Sequence, residues 1–263
     1  MDTPGAAAKQ WADALAAWRI PEDILAQAPQ SPWIHPVELF TVDDEVPDSP
    51  SHALARAALG VGGSVLDIGC GGGRAAFAIT PPATAVVGVD HQQGMLEAFA
   101  EAAERRGVGH TEILGDWPEV AARTPVADVA VAHHVAYNVA DLAGFARAAG
   151  DHARSRVVFE LPDRHPLSAM APLWRHFWNL ERPDGPSAAD ALALLREAGL
   201  DAHLETWEET GERRPDLSPQ RRVEFTRVRL CLPADRDGEV AEVLAAQGPP
   251  RPRRLAALWW DVR

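Results

Sequence analysis

The sequence predicts an α/β fold: a seven-stranded, mostly parallel sheet with helices on both faces, an N-terminal helical cap and helical insertions. Three observations carry this. Short apolar runs without polar alternation recur along the chain, as strands buried on both faces require. Segments with helical spacing separate them. The first run, VLDIGCGGG, passes directly into a glycine cluster followed by helix-forming residues. Alternating strands and helices build a parallel sheet covered on both sides.

The elements follow in order. Ala8, Trp11, Leu15 and Trp18 recur at spacings of three and four, which predicts a helix over residues 5–19. Residues 21–50 are proline-rich and irregular, with room for one short helix. We read residues 1–50 as a cap leaning on a domain that spans 51–263. Ser51 is the expected N-cap of a helix ending near Gly60. The strands are SVLDIG, AVVGVD, HTEILGD, ADVAVAHH, RVVFEL, DAHLETWEE and RRLAALWWDV. Between them lie an amphipathic helix at 92–106, with Met95, Leu96, Phe99 and Ala103 on one face, and a helix at 139–150. A third helix, SAADALALLREAGL, has Ser187 as its N-cap. Two stretches exceed a minimal sheet: an insertion near 162–186 carrying PLWRHFW, and another near 210–254, expected as two helices split at Pro233. Insertions at the strand C-terminal edge commonly shape substrate pockets.

Composition narrows the function. The chain has 263 residues, is 46% hydrophobic and carries a formal charge of −13. An acidic surface disfavours nucleic acid, whose phosphates need a positive field. No apolar run is long enough to span a bilayer, and the N-terminus lacks a secretory pattern. The two cysteines, Cys70 and Cys231, fit a reducing compartment better than a disulfide framework. The expected setting is the cytoplasm, with no membrane or nucleic-acid partner.

The glycine cluster is the informative motif. Glycine allows positive φ and lets a ligand approach the backbone closely. Nicotinamide and flavin sites favour G-x-G-x-x-G, but here Arg74 stands at the third glycine position. The pattern is instead Asp67-x-Gly69-x-Gly71-x-Gly73. An acidic residue at its start suits a cationic ligand better than a pyrophosphate.

The stretch VLDIGCGGG resembles the first motif of class I S-adenosylmethionine-dependent methyltransferases, which implies a Rossmann-like domain and S-adenosyl-L-methionine as cofactor, with S-adenosyl-L-homocysteine as product. The resemblance covers residues 52–161 and leaves the cap and insertions unexplained. It implies that Asp90, ending VVGVD, holds the two ribose hydroxyls through charge-assisted hydrogen bonds. It places Asp116, in ILGDW, at the adenine amino group. By the same analogy Trp117 lies on the adenine face, and His91 and Met95 join the adenosine wall. The absence of a D/N-P-P-Y/F motif after the fourth strand, with the acidic charge, favours a small-molecule methyl acceptor.

The fourth strand ends AHHVAYN, where that family faces its acceptor. Adjacent histidines on an extended backbone point to opposite sides. His134 is therefore the expected base or acceptor anchor, with Tyr137 sharing its wall, and His133 is expected beside the methionine moiety. Both histidines could equally be satisfied by backbone groups. No metal is expected, because adjacent strand histidines do not readily chelate one ion. Trp174, Phe177 and Trp178 fit a core stripe, with a substrate clamp as the alternative. Two competing functions remain at this point: a non-catalytic S-adenosylmethionine-binding protein and a nicotinamide oxidoreductase, the latter disfavoured by Arg74 and Asp67. The acceptor atom and oligomeric state are left open by the sequence.

Overall fold

The computed structural model describes residues 5–33, 46, 48–209, 218–247 and 252–262. Parts of the expected cap and of the second insertion therefore lie outside the described residues.

Among the described residues the strands are β1 (Ser64–Ile68), β2 (Ala85–Asp90), β3 (Gly109–Leu114), β4 (Ala127–His133), β5 (Ala153–Pro162), β6 (His203–Glu208) and β7 (Arg254–Asp261). They form one sheet in the order β3-β2-β1-β4-β5-β7-β6. The first five pair in parallel, and β7 runs antiparallel to both of its neighbours. Strand order reverses between β1 and β4. In open α/β sheets a crevice forms at such a reversal, outside the strands' carboxyl ends.

Side-chain alternation divides the core in two. On one face Leu66, Val89, Ala132, Phe159 and Leu258 pack with α1 (Ala6–Ala16), α6 (Leu142–Asp151) and α8 (Ala188–Glu197). On the other, Val65, Val131 and Val158 pack with α3 (Pro50–Ala58), α4 (Arg74–Phe77) and α5 (Gln93–Arg106). Helix α8 begins as expected, with Ser187 and Asp190 forming a capping box. Helix α1 has no side-chain cap of its own. Its Ala7 N–H donates to Glu197 of α8 at 3.0 Å, so an acid from a neighbouring helix meets its open N-terminus. Trp11, fully buried, anchors α1 by donating its indole N–H to the Val139 carbonyl at 2.8 Å.

The cap of α3 is Ser49 and not Ser51. Pro50 takes the first helical position, where a missing N–H costs nothing. The capping role therefore moves one residue upstream of the proline, and Ser51 is left inside the first turn.

A third apolar cluster stands apart from the sheet. It gathers Ile20 and Ile24 near α2 (Glu22–Leu25), Leu173 and Trp174 of α7 (Ala171–Trp178), Leu230 to Leu232 after α9 (Pro219–Arg229), and Val240 of α10 (Asp237–Ala246). Trp174 is buried there, and Trp178 donates its indole N–H to the Leu230 carbonyl at 2.7 Å. The aromatic stripe of PLWRHFW is thus packing. Because β6 is parallel to β5, the connections after β1, β4, β5 and β6 all leave the same sheet edge. Helices α7, α9 and α10 belong to two of those connections.

Candidate active site

The turn after β1 is built by backbone conformation. Gly69, Gly71 and Gly73 adopt φ of 69°, 50° and 89°. Such values are open to glycine and strained for other residues. At Gly69 a side chain would also run into Val135, which follows β4. The glycine turn and the β4 tip are therefore in contact across the strand-order reversal.

Three acidic residues were expected around this turn, and their environments differ. Asp67 is fully buried beneath it and accepts the Ala76 N–H of α4 at 3.1 Å. Burial, with the Asp90 charge adding, pushes its carboxyl up to about 8 against the opposing Ala76 hydrogen bond. Burial thus favours its neutral form, and its bond to Ala76 makes it a strut inside the loop. Asp90 sits at the tip of β2. One oxygen accepts Gly71 N–H at 3.0 Å and the other accepts Gln92 N–H at 2.9 Å. A carboxylate has about four acceptor sites, so lone pairs remain for further donors. Asp116 is exposed beyond β3, and its Oδ1 lies 3.6 Å from Nδ1 of His91, so these two expected residues do come together. Met95 is buried in the first turn of α5.

Trp117 departs from expectation. Its ring is buried against the α6 face and its indole N–H donates to the Phe145 carbonyl at 3.3 Å. It stands edge-on to His152 at 5.0 Å. This takes the indole out of the adenine wall. Trp117→Phe should accordingly leave cofactor affinity unchanged by calorimetry while lowering folding stability by about 1 kcal/mol, the worth of one hydrogen bond.

Tyr137 is also withdrawn. It lies in the core, stacks on Trp11 at 5.5 Å and donates its hydroxyl to the Pro162 carbonyl at 2.8 Å. Burial, helped by Asp163 and Asp190, drives its phenol above the usual range. Cys70 is buried likewise, and its thiol is pushed well up by burial and by Asp67 and Asp90, so it serves as a small packing residue.

The histidine pair corrects a geometric expectation. His133 ends β4 in extended backbone, but His134 adopts φ 62° and lies past the strand. The left-handed residue turns the second ring back, so both rings approach one carboxylate. Nδ1 of His133 is 4.0 Å, and Nε2 of His134 is 3.3 Å, from opposite oxygens of Glu160. His133 also stacks on His52 of α3 at 5.1 Å. Glu160, Ser49 and His52 were not anticipated from sequence, and Ser51 was expected only as a helix cap. The available signal was a single acid inside the apolar run RVVFEL, since a charge in a buried strand needs partners. Among the described residues no cluster of three or more histidine, cysteine or acidic side chains is arranged to hold a metal.

Asp67 sets a pH dependence. Its folded carboxyl is raised above its unfolded value, so its contribution to stability is full below about pH 4 and is lost as pH rises through about 8. Asp67→Asn keeps an acceptor for Ala76 and removes the titration. Urea midpoints at pH 6 and 8.5 should show the variant gaining on the wild type as pH rises.

Comparison with known proteins agrees with this geometry. Residues 65–155 match the family model described as a methyltransferase domain. No curated protein matches the chain in sequence. The solved structures it resembles include the YcgJ protein of Bacillus subtilis, at 18% identity and TM-score 0.52, covering 81% of this chain and 97% of that one. A second, from Bacillus halodurans C-125 and provisionally assigned as a methyltransferase, has 18% identity and TM-score 0.53, covering 81% and 98%. A third is coclaurine N-methyltransferase bound to N-methylheliamine and S-adenosylhomocysteine, at 13% identity and TM-score 0.51, covering 97% and 86%. These likenesses carry the fold. The matched domain, the order of the sheet and the glycine turn agree with the resemblance to class I S-adenosylmethionine-dependent methyltransferases. Residues 65–155 thus form a methyltransferase domain, of the kind that uses S-adenosyl-L-methionine as cofactor.

Proposed function

We propose that this protein methylates a small-molecule acceptor by in-line displacement, with the cofactor held by the Gly69–Gly71–Gly73 turn and Asp90. The cofactor supplies a methyl group already activated on a sulfonium. The protein's part is alignment and exclusion of water, which is worth up to ~7–11 kcal/mol of barrier. The residues suit the cofactor: a turn free of side chains lies beside a carboxylate with acceptor capacity left for two hydroxyls. Asp116 and His91 extend the same rim toward the base.

The observation that carries the reading is the placement of the accessory helices. Helices α7, α9 and α10 belong to connections leaving the edge that bears the glycine turn and His134, and they share one apolar cluster. Helical insertions at that edge suit a compact acceptor better than a polymer. The net charge of −13 supports the same conclusion against nucleic acid. Among the described residues no helix is long and apolar enough to cross a membrane. Cys70 and Cys231 are buried free thiols, which supports a reducing, cytoplasmic setting.

Calorimetry with S-adenosylmethionine, S-adenosylhomocysteine and NAD side by side, followed by transfer of labelled methyl to a metabolite panel and to nucleic acid, tests this. Binding of both sulfur nucleosides with label in a small molecule is expected. Binding of NAD alone, or label in nucleic acid, would reject it.

A further inference from the structure

Glu160 is a carboxylate where a strand would ordinarily place an apolar residue. It lies in β5, 3% exposed, in register with His133 of β4 and Ala257 of β7. Two segments converge on it. Ser49 donates its hydroxyl to Oε2 at 3.0 Å, and Ser51 donates to the same oxygen. His133 stands on that side at 4.0 Å. Oε1 faces Nε2 of His134 at 3.3 Å. Burial alone would raise this carboxyl, but the two histidines and Ser51 hold it well below the usual range.

The fourth partner differs from the others. His134 is 47% exposed, whereas Glu160 is sealed. Its left-handed backbone costs about 1–2 kcal/mol for a non-glycine residue. That conformation persists because its N–H donates to the Glu160 carbonyl at 2.6 Å. Its neighbour Val135 packs on Gly69 of the cofactor turn. A buried polar pin for α3 would need only Ser49, Ser51 and His133. It would not need a strained, half-exposed imidazole at the cofactor's edge.

We propose that Glu160 is a positioning residue that keeps His134 protonated on Nε2 and presents Nδ1 as the base for a methyl acceptor that must lose a proton, namely a hydroxyl compound. This rests on the methyltransferase reading above. The acceptor oxygen forms the new O–CH₃ bond, and the S–CH₃ bonding pair stays on sulfur, leaving a neutral thioether. The hydroxyl proton passes to Nδ1, and the resulting imidazolium faces the Glu160 carboxylate. A carboxyl group behind an imidazole fixes its tautomer and supports its charge in this way. An amine can attack through its lone pair and shed its proton afterwards. A hydroxyl ionising near pH 10 or above gains most from a placed base.

The test reads the ring directly. The full chain is labelled with ¹⁵N-histidine, and the His134 nitrogens are observed at neutral pH with S-adenosylhomocysteine present. The wild type should show one tautomer, protonated on Nε2, and Glu160→Val should show an averaged ring. In parallel, phenols and primary amines of matched size are offered with labelled methyl donor. Glu160→Gln should lower kcat for phenols at least about tenfold with donor KM unchanged, and Glu160→Asp should recover part of it. Protonation on Nδ1 in the wild type, an equally averaged ring in wild type and Glu160→Val, or phenol turnover untouched in Glu160→Gln would overturn the proposal. Failure of the wild type to bind S-adenosylhomocysteine would instead strike the methyltransferase reading, and the tautomer would still decide the role of Glu160.

Discussion

Gly73→Val is expected to cost about 2–5 kcal/mol of folding stability, lowering the urea midpoint without changing the slope. Two effects add. Gly73 has φ 89° and caps α4, a conformation that costs a side-chain-bearing residue about 1–2 kcal/mol. A Cβ there would also run into the rings of Phe77 and Phe99, which are buried and tilted together at 5.1 Å. Overpacking of this kind costs about 1–3 kcal/mol. Domains are stable by only about 5–15 kcal/mol, so much of the margin goes. Gly107→Ala provides the control. Its φ is 65° but nothing lies within contact of its added Cβ, so only the backbone cost should be seen. Equal losses in the two variants would mean that the glycine turn is not packed onto the core as described.

Asp90→Ala is expected to weaken S-adenosylmethionine binding about a hundredfold or more. Hydrogen bonds to a charged group contribute about 1.5–3 kcal/mol each, and about 1.4 kcal/mol is a tenfold change in affinity. Two ribose hydroxyls on one carboxylate therefore account for the loss. The carboxylate also holds Gly71 and Gln92 by their N–H groups, so its removal loosens the turn itself. Asp90→Asn, which retains one carbonyl acceptor, should fall between. Calorimetry distinguishes these, and Trp117→Phe supplies the matched variant in which affinity should not move.

Much of the fold was legible because it depends on local pattern. The apolar runs of β1, β2, β4 and β5, the helical spacing of α5 and the capping box at Ser187 each follow from side-chain period and end chemistry. The glycine turn was legible for the same reason, since positive φ leaves a compositional trace. Residues whose role depends on which face they occupy were not. Trp117 and Tyr137 stand next to site residues in sequence, but their rings turn into the α6 and α1 side of the core. His133 and His134 were separated by assuming extended backbone, and one left-handed residue reunites them. Glu160 is over one hundred positions from Ser49 and Ser51 in the chain and meets them only when α3 packs across β5. Asp67 was recognisable as part of the motif, but burial gives it the role of a neutral strut.

The account turns on where the nucleoside sits, and a crystal structure with S-adenosylhomocysteine measures that. The ribose hydroxyls should lie within about 3 Å of the Asp90 carboxylate, with the sulfur between the Gly69–Gly73 turn and the tip of β4. A nucleoside bound elsewhere, with the Asp90 oxygens still engaged only by Gly71 and Gln92, would contradict it.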